Sequence, residues 1–203
     1  MKRILFGLFF LLPCSPLNAR VHDVSILVVY YSVNGHTRTM AEAVAQGADA
    51  VEGARVKLLP VQDATPSDVV DCDAIIIGSP VYNANVAPEV QSFINRWPFR
   101  GTPLRDKIGA AFVSAGGISA GEEVAQLSIL QSMLIFGMIV VGGPQWTSAF
   151  GASAVTDEAP FTQASDNGQV AEQFLEKGRK LGQRVAELAS RLKRKDKPRH
   201  RVR

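Results

Sequence analysis

Short apolar runs alternate along the chain with segments in which apolar residues recur every three or four positions. Runs rich in Val, Ile and Ala are typical of strands buried on both faces of a parallel sheet, and the recurring spacing is typical of amphipathic helices. The predicted strands, in chain order, are Ile26 to Tyr31, Ala54 to Leu59, Ala74 to Ile77, Ile108 to Ser114 and Met138 to Val141.

The segments between and after these strands predict helices. In chain order, these are Met40 to Ala48, Pro88 to Trp97, Gly121 to Phe136 and Gly168 to about Leu192. Pro88 suits the first turn of its helix, where no backbone N–H is needed. Strands that alternate with helices define an α/β domain. We therefore predict a doubly wound five-stranded parallel sheet, in the order 2-1-3-4-5, with helices on both faces.

Polar, turn-forming segments follow the first, third and fourth predicted strands. They are Ser32 to Thr37, Gly78 to Asn85 and Ser114 to Ser119. In a doubly wound sheet, ligands bind outside the carboxyl ends of the strands, near the point where the strand order reverses. The three loops are therefore expected to meet at one edge of the sheet and to form a binding site there.

The first of these loops has the features of a phosphate site. Its backbone N–H groups precede a helix, and Ser32 and Thr37 add hydroxyl groups. Gly35 is not followed by Lys, so the loop is not a nucleoside-triphosphate loop, and it lacks the three glycines of a dinucleotide fingerprint. These features favour one terminal monophosphate. The alternative is an ordinary turn in which Thr37 or a neighbour caps the helix.

Two segments also carry a family resemblance: Tyr30 to Thr37, and Asp73 to Pro80 with Asn85-Val86. The chain resembles the flavodoxin-like fold. Within that fold it is most similar to the tryptophan-repressor-binding-protein-like NAD(P)H:quinone oxidoreductases, which bind FMN.

The resemblance implies a site for each part of the cofactor. It implies that the FMN phosphate is held by Ser32, Asn34, Gly35, His36 and Thr37. It implies that the isoalloxazine ring is lined by Pro80, Val81, Tyr82, Asn83 and Asn85, and that its other side is closed by Ser114, Ala115, Gly116 and Gly117. For His36, an exposed position in the first helical turn is the alternative to a phosphate contact. No catalytic side chain and no metal site are predicted.

The implied activity is that of an FMN-dependent oxidoreductase. Hydride would pass from NAD(P)H through FMN to a quinone or similar acceptor. The alternative is a flavodoxin-type electron carrier, or a domain that binds flavin without turnover. A domain that binds no cofactor is a third interpretation.

Composition and charge divide the chain into a body and two ends. Of 203 residues, 46% are hydrophobic and 20% charged, which is typical of a globular domain, predicted here to span residues 23–192. From Arg191 onward there are eight Lys and Arg and one Asp, while residues 20–190 carry 12 Lys and Arg against 18 Asp and Glu. The basic tail, residues 193–203, is predicted to be disordered, with binding to anionic lipid or nucleic acid as the alternative. No nucleic-acid motif is visible elsewhere in the sequence, so no nucleic-acid partner is expected.

The N-terminal segment, residues 1–19, resembles a secretory signal or a membrane anchor. Lys2-Arg3 precedes the apolar run Ile4 to Leu12, and cleavage after Ala19 is predicted. An exported (periplasmic) or membrane-anchored protein is therefore expected, or a cytoplasmic one if the assigned start lies too far upstream. Association into a homo-dimer or higher oligomer is left open, because the long segment Gly142 to Asn167 would either cover the flavin or form a subunit contact.

Overall fold

The computed structural model describes residues 24–162 and 167–196, with side chains up to Lys193. The signal-like or anchor segment, and the tail beyond Asp196, lie outside the described residues. Among those described, no helix is both long enough and apolar enough to cross a bilayer.

A seven-stranded, mostly parallel sheet forms the centre of the domain. Its strands are β1 (Val24–Tyr30), β2 (Ala54–Pro60), β3 (Ala74–Tyr82), β4 (Asn85–Val86), β5 (Ile108–Ala115), β6 (Ile139–Val140) and β7 (Ala152–Val155). The main order is β2-β1-β3-β5-β6, with β4 antiparallel to β3 and β7 parallel to β5. The predicted order is confirmed, but the number of strands is seven and not five.

The two additional strands are short. β4 returns from β3 as a two-residue hairpin arm. The edge of the sheet beside β5 is divided, because β6 pairs with Ile108 and Gly109 while β7 pairs with Phe112 to Ala115. Residues 141–151 leave the sheet between these two pieces, so β7 lies inside the segment that the sequence predicted as loop.

Within the described residues, five helices cover the two faces of the sheet. They are α1 (His36–Asp49), α2 (Pro66–Asp71), α3 (Pro88–Asn95), α4 (Glu122–Ile135) and α5 (Glu172–Asp196), and a 3₁₀ turn covers Trp146–Ser148. Ile26 and Val28 of β1 pack on the side of α1 and α5, whereas Leu27 and Val29 pack on the side of α3 and α4. This alternation confirms the helices predicted on both faces.

The helices α1 and α5 approach each other closely at two glycines. A Cβ atom on Gly47 would lie 1.9 Å from the carbonyl oxygen of Arg179, and one on Gly182 would lie 1.9 Å from that of Val44. Larger residues at these positions would separate the helices. The chain therefore holds its last helix against the helix that follows the first strand.

Cys72 is a buried residue just before β3. Its thiol donates a hydrogen bond to the carbonyl of Val69 over 3.3 Å, and burial raises the pKa of the thiol to about 12. It is therefore a packing residue and not a reactive thiolate.

The short helix α2, which the sequence did not predict, begins with a capping box. The amide of Thr65 donates to the Asp68 carboxylate over 2.9 Å, and the amide of Asp68 donates to the Thr65 hydroxyl over 3.3 Å. Lys57 also binds this carboxylate. Hydrogen bonds from Lys57 and Thr65 lower the pKa of Asp68 to about 2.

We predict that Asp68→Asn lowers the free energy of unfolding near neutral pH by about 1 kcal/mol, because the cap and the ion pair are weakened. The pKa of Asp68 is lowered in the folded state, so its contribution is complete above the ordinary pKa of 3.8 and is lost as the pH falls toward about 2. Urea unfolding of both proteins over this pH range measures the difference.

The control is Asp63→Asn, because the carboxylate of Asp63 has no partner among the described residues. A stability difference for Asp68→Asn that stays constant down to the lowest pH would contradict this account.

Candidate functional site

The loop after β1, the end of β3 and the end of β5 with the loop that follows it meet at the carboxyl edge of the sheet and enclose a pocket. Gly78 to Tyr82, predicted as loop, form the second half of β3, because they pair with β5 as far as Pro80 and with β4 beyond it. Ten of the fourteen predicted site residues line the pocket: Ser32, Asn34, His36, Thr37, Pro80, Val81, Tyr82, Ser114, Ala115 and Gly116. Val33, Thr156 and Asp157 complete the lining. The structure therefore brings together residues from all three predicted loops.

The other four predicted residues lie beside this pocket. Asn83 and Asn85 line an adjoining open depression, which shares Val81 and Tyr82 with the pocket. Gly35 forms the turn before α1, and Gly117 packs against the carboxylate of Glu158.

The turn before α1 depends on Gly35. Its φ of 92° lies in the left-handed region, and its amide donates to the Ser32 hydroxyl over 3.1 Å. A Cβ atom on Gly35 would also lie 2.9 Å from the Cα of Gly168. Because α1 begins immediately afterwards, the amides of its first turn have no carbonyl partner within the helix and are directed toward the loop.

His36 is the first residue of α1 and is only 8% exposed. The alternative that it is an exposed first-turn residue is therefore wrong. The side chain of His36 lines the pocket. Its Nε2 atom is buried and has no hydrogen-bond partner among the described residues. An unpaired buried ring nitrogen is costly, so a ligand partner is expected here.

A hydrogen bond joins the first loop to the third. The hydroxyls of Thr37 and Ser114 lie 2.7 Å apart and are both buried. Only one of the two protons is used in their mutual bond. The other hydroxyl retains a proton that it can donate to a ligand in the pocket.

The second loop is a tight hairpin between β3 and β4. Asn83 and Ala84 both have positive φ, 50° and 61°, as in the mirror-image turns that suit twisted hairpins. The buried hydroxyl of Ser79 accepts from the amide of Ala87 over 2.9 Å and holds the far end of this hairpin.

Tyr82 precedes the hairpin turn and is 40% exposed. Burial, together with the nearby Glu89 carboxylate, raises the pKa of the Tyr82 phenol. The side chain therefore presents a neutral, partly exposed ring at the mouth of the site.

The third loop is held by the residues that follow β7. The amides of Thr156 and Asp157 donate to the carbonyls of Ala115 and Gly116 over 3.0 and 2.9 Å. The Glu158 carboxylate accepts from the amide of Ile118 over 2.6 Å. Sequence reasoning missed Thr156 and Asp157, because β7 was not recognised. The short run from Ala152 to Val155, directly after a glycine, was the available signal.

The pocket is lined by neutral hydrogen-bond donors and one carboxylate. No Lys or Arg lines it in the part of the chain that the structure describes, and Asp157 supplies the carboxylate. An anion bound here would depend on hydroxyl groups, on the free amides of the first turn of α1 and on the positive N-terminal end of that helix. This is the usual chemistry of a helix N-terminal phosphate site.

This fold and this pocket define a class of α/β proteins that bind a phosphorylated ligand at the carboxyl edge of a parallel sheet. Residues 24–153 match the family described as NADPH-dependent FMN reductase. The chain belongs to this family, and the resemblance predicted from its sequence is confirmed.

Relatives with two different names are similar over most of the chain. A protein from Azorhizobium caulinodans named NAD(P)H dehydrogenase (quinone) is 34% identical in an alignment 197 residues long. The alignment covers 82% of this chain and 98% of that protein. A protein from Aquifex aeolicus named flavodoxin is 34% identical over 172 residues, covering 80% of this chain and 85% of that protein.

Solved structures show the same fold. A flavodoxin, WrbA-like protein from Agrobacterium tumefaciens superposes with a TM-score of 0.67 at 23% identity, covering 83% of this chain and 98% of that one. Two-electron reduced Megasphaera elsdenii flavodoxin superposes with a TM-score of 0.56 at 24% identity, covering 80% and 98%. At these identities the likeness concerns the fold alone.

We predict that Gly35→Ala lowers the free energy of unfolding by about 2–3 kcal/mol, because it combines an unfavourable φ with a contact against the Gly168 backbone. Gly101→Ala is the matched control. Gly101 has a φ of 78°, but its Cβ atom would meet nothing within 4 Å, so only about 1 kcal/mol should be lost. Urea unfolding compares the two variants, and equal losses would show that the contact with Gly168 is unimportant.

Proposed function

We propose that this protein is an FMN-binding oxidoreductase that takes hydride from NAD(P)H and passes electrons to a quinone-like acceptor. The observation that carries this proposal is the pocket at the carboxyl edge. It combines the start of α1 with the buried, unpaired Nε2 of His36, in a chain of the NADPH-dependent FMN reductase family.

The residues of the first loop fit a phosphate monoester. The amides after Gly35, the hydroxyls of Ser32 and Thr37 and the Asn34 side chain offer donors around the start of α1. His36 Nε2 would gain the partner that it lacks among the described residues. We therefore assign the FMN phosphate to Ser32, Asn34, Gly35, His36 and Thr37.

The second and third loops fit the ring and the ribityl chain. Pro80, Val81, Tyr82, Asn83 and Asn85 would line one side of the isoalloxazine ring. On the other side, Ser114, Ala115 and Gly116 line the pocket with Asp157, and Gly117 continues the same loop beside Glu158.

When bound, FMN supplies the hydride-accepting and electron-donating chemistry. The protein binds the phosphate, orients the ring against the hairpin and leaves one side of the site open beside Tyr82. This opening favours an enzyme, because a nicotinamide and an acceptor must reach the same ring in turn. The flavodoxin-type carrier is the alternative, and the similarity to a protein named flavodoxin supports it.

We predict that Ser114→Ala lowers the affinity for FMN about tenfold, because the buried hydroxyl that pairs with Thr37 is lost and the Thr37 hydroxyl is no longer held in place beside the phosphate. Quenching of FMN fluorescence during titration measures the affinity. The control is Ser132→Ala, whose hydroxyl donates to the Ser128 carbonyl within α4 and does not line the pocket. Unchanged affinity in Ser114→Ala would remove this residue from the site.

Turnover separates the enzyme from the carrier. FMN-loaded protein is expected to oxidise NADH or NADPH continuously when a soluble quinone is present. In Ser114→Ala the rate should fall in proportion to the amount of flavin that remains bound. Bound flavin without continuous turnover would favour the electron carrier. The absence of any flavin binding would contradict both the enzyme and the carrier.

The N-terminal segment and the oligomeric state remain proposals of the same kind. The run Ile4 to Leu12 after Lys2-Arg3 supports export or anchoring, with the cytoplasm as the alternative for a start placed too far upstream. The mass of the native protein would show whether residues 1–19 are removed.

Exposed Val124, Leu127 and Leu134 on α4 support a homo-dimer or higher oligomer, which light scattering would test.

A further inference from the structure

The edge of the sheet at which the parallel strands begin, called here the amino edge, lies opposite the pocket. Lys193 of α5 and the amide of Ser25 in β1 both bind Asp73 Oδ2, each over 2.7 Å. Lys107, next to β5, donates to the carbonyls of Val70 and Cys72. The start of the first strand and the end of the last helix therefore lie together at this edge.

Large apolar side chains are exposed on the same edge. Phe99, in the loop between α3 and β5, is 61% exposed, and Ile135, at the end of α4, is 72% exposed. Phe99 contacts the ring of Phe136 with centroids 5.6 Å apart, and Phe99, Ile135 and Phe136 line one shallow groove. Neighbouring exposed apolar residues of this kind mark an interaction surface.

Basic residues neighbour Phe99 in the sequence of this loop, and one of them, Arg105, lines the groove with it. Within residues 96–107 the bases Arg96, Arg100, Arg105 and Lys107 accompany a single acid, Asp106. Arg100 and Arg105 are exposed, and Arg105 lines the groove beside Phe99. The loop therefore joins an exposed aromatic ring to several positive charges, although the body of the chain is acidic.

Both ends of the chain leave the domain at this edge. Residues 1–23 attach at Val24 and contain the apolar run Ile4 to Leu12; residues 197–203 attach at Asp196 and contain Lys197, Arg199, Arg201 and Arg203. The run is too short to span a bilayer, but its sequence suits the lipid interface. The apolar segment before Val24 and the basic segment after Asp196 are therefore both joined to the edge that exposes Phe99 and the arginines.

We propose that the amino edge docks on an anionic lipid bilayer. The exposed arginines of the 96–107 loop contact lipid headgroups, while Phe99 and Ile135 enter the interface. A polyanion such as DNA would account for the charges but would give the exposed Phe99 and Ile135 no apolar environment. Two weak signals, apolar and basic, together give the stable association that neither provides alone.

Docking in this orientation directs the pocket toward the aqueous phase. Water-soluble molecules reach it without crossing the lipid surface. Binding of the amino edge to lipid does not depend on what the pocket holds.

Vesicle co-sedimentation tests the proposal. The full chain is mixed with vesicles of phosphatidylcholine alone, or with phosphatidylserine added. We expect binding only to the anionic vesicles, weakened by salt. Arg100→Gln and Arg105→Gln should each reduce the affinity about fivefold. Phe99→Ser should reduce it about tenfold, because an inserted ring is lost.

Matched controls remove the same groups elsewhere. Arg184→Gln removes an exposed charge from the middle of α5, and Trp146→Ser removes an exposed aromatic from the segment between β6 and β7. Both should bind as the unchanged chain does. All variants are also made without residues 1–19, which precede every described element, so that insertion of the apolar run does not mask the loop.

Three outcomes would overturn the proposal. Equal binding to neutral and anionic vesicles would remove the role of charge. Loop variants that bind like the unchanged chain, with and without residues 1–19, would remove the role of the amino edge. Binding to a DNA duplex without binding to vesicles would assign the basic residues to nucleic acid.

Discussion

Parallel pairing of β1, β3 and β5 brings three strand ends to the same edge of the sheet. Gly78 of β3 pairs with Tyr30 of β1 and Phe112 of β5, so the loops that follow start at nearly the same height. Without that register, Thr37 and Ser114, 77 positions apart in sequence, would not share a hydrogen bond. The pocket is a consequence of strand pairing, and the loop residues only determine its chemistry.

The sequence predicted the features whose pattern is local. The apolar run of β1 and the helical spacing of α1 identify the strand, the turn and the helix of the first loop. The turn residues after β3 and β5 then identify most of the lining. Ser32 and Ser114 were found in this way, because Ser32 follows a predicted strand and Ser114 ends one. Tyr82 was found because it lies in the turn-forming segment after the third predicted strand.

Features that depend on distant partners were not predicted. The run of four residues in β7 is too short to predict a strand by itself, and it pairs with the part of the β5 edge that β6 leaves uncovered. Asp157 enters the pocket through this pairing, so no local signal identified it. Likewise, α2 is too short for periodicity, and its start depends on a capping box reinforced by Lys57 from β2. The burial of His36 also follows from packing and not from its neighbours in sequence.

The position of Cys72 has a chemical consequence. Flavins that return electrons to oxygen generate peroxide close to the protein that binds them, and peroxide attacks thiolates and not neutral thiols. At neutral pH the buried sulfur of Cys72 stays protonated, because burial raises the pKa of the thiol to about 12. The described domain therefore holds its sulfhydryl in a form that resists oxidative damage, so redox cycling in the pocket can proceed without self-inactivation through this residue.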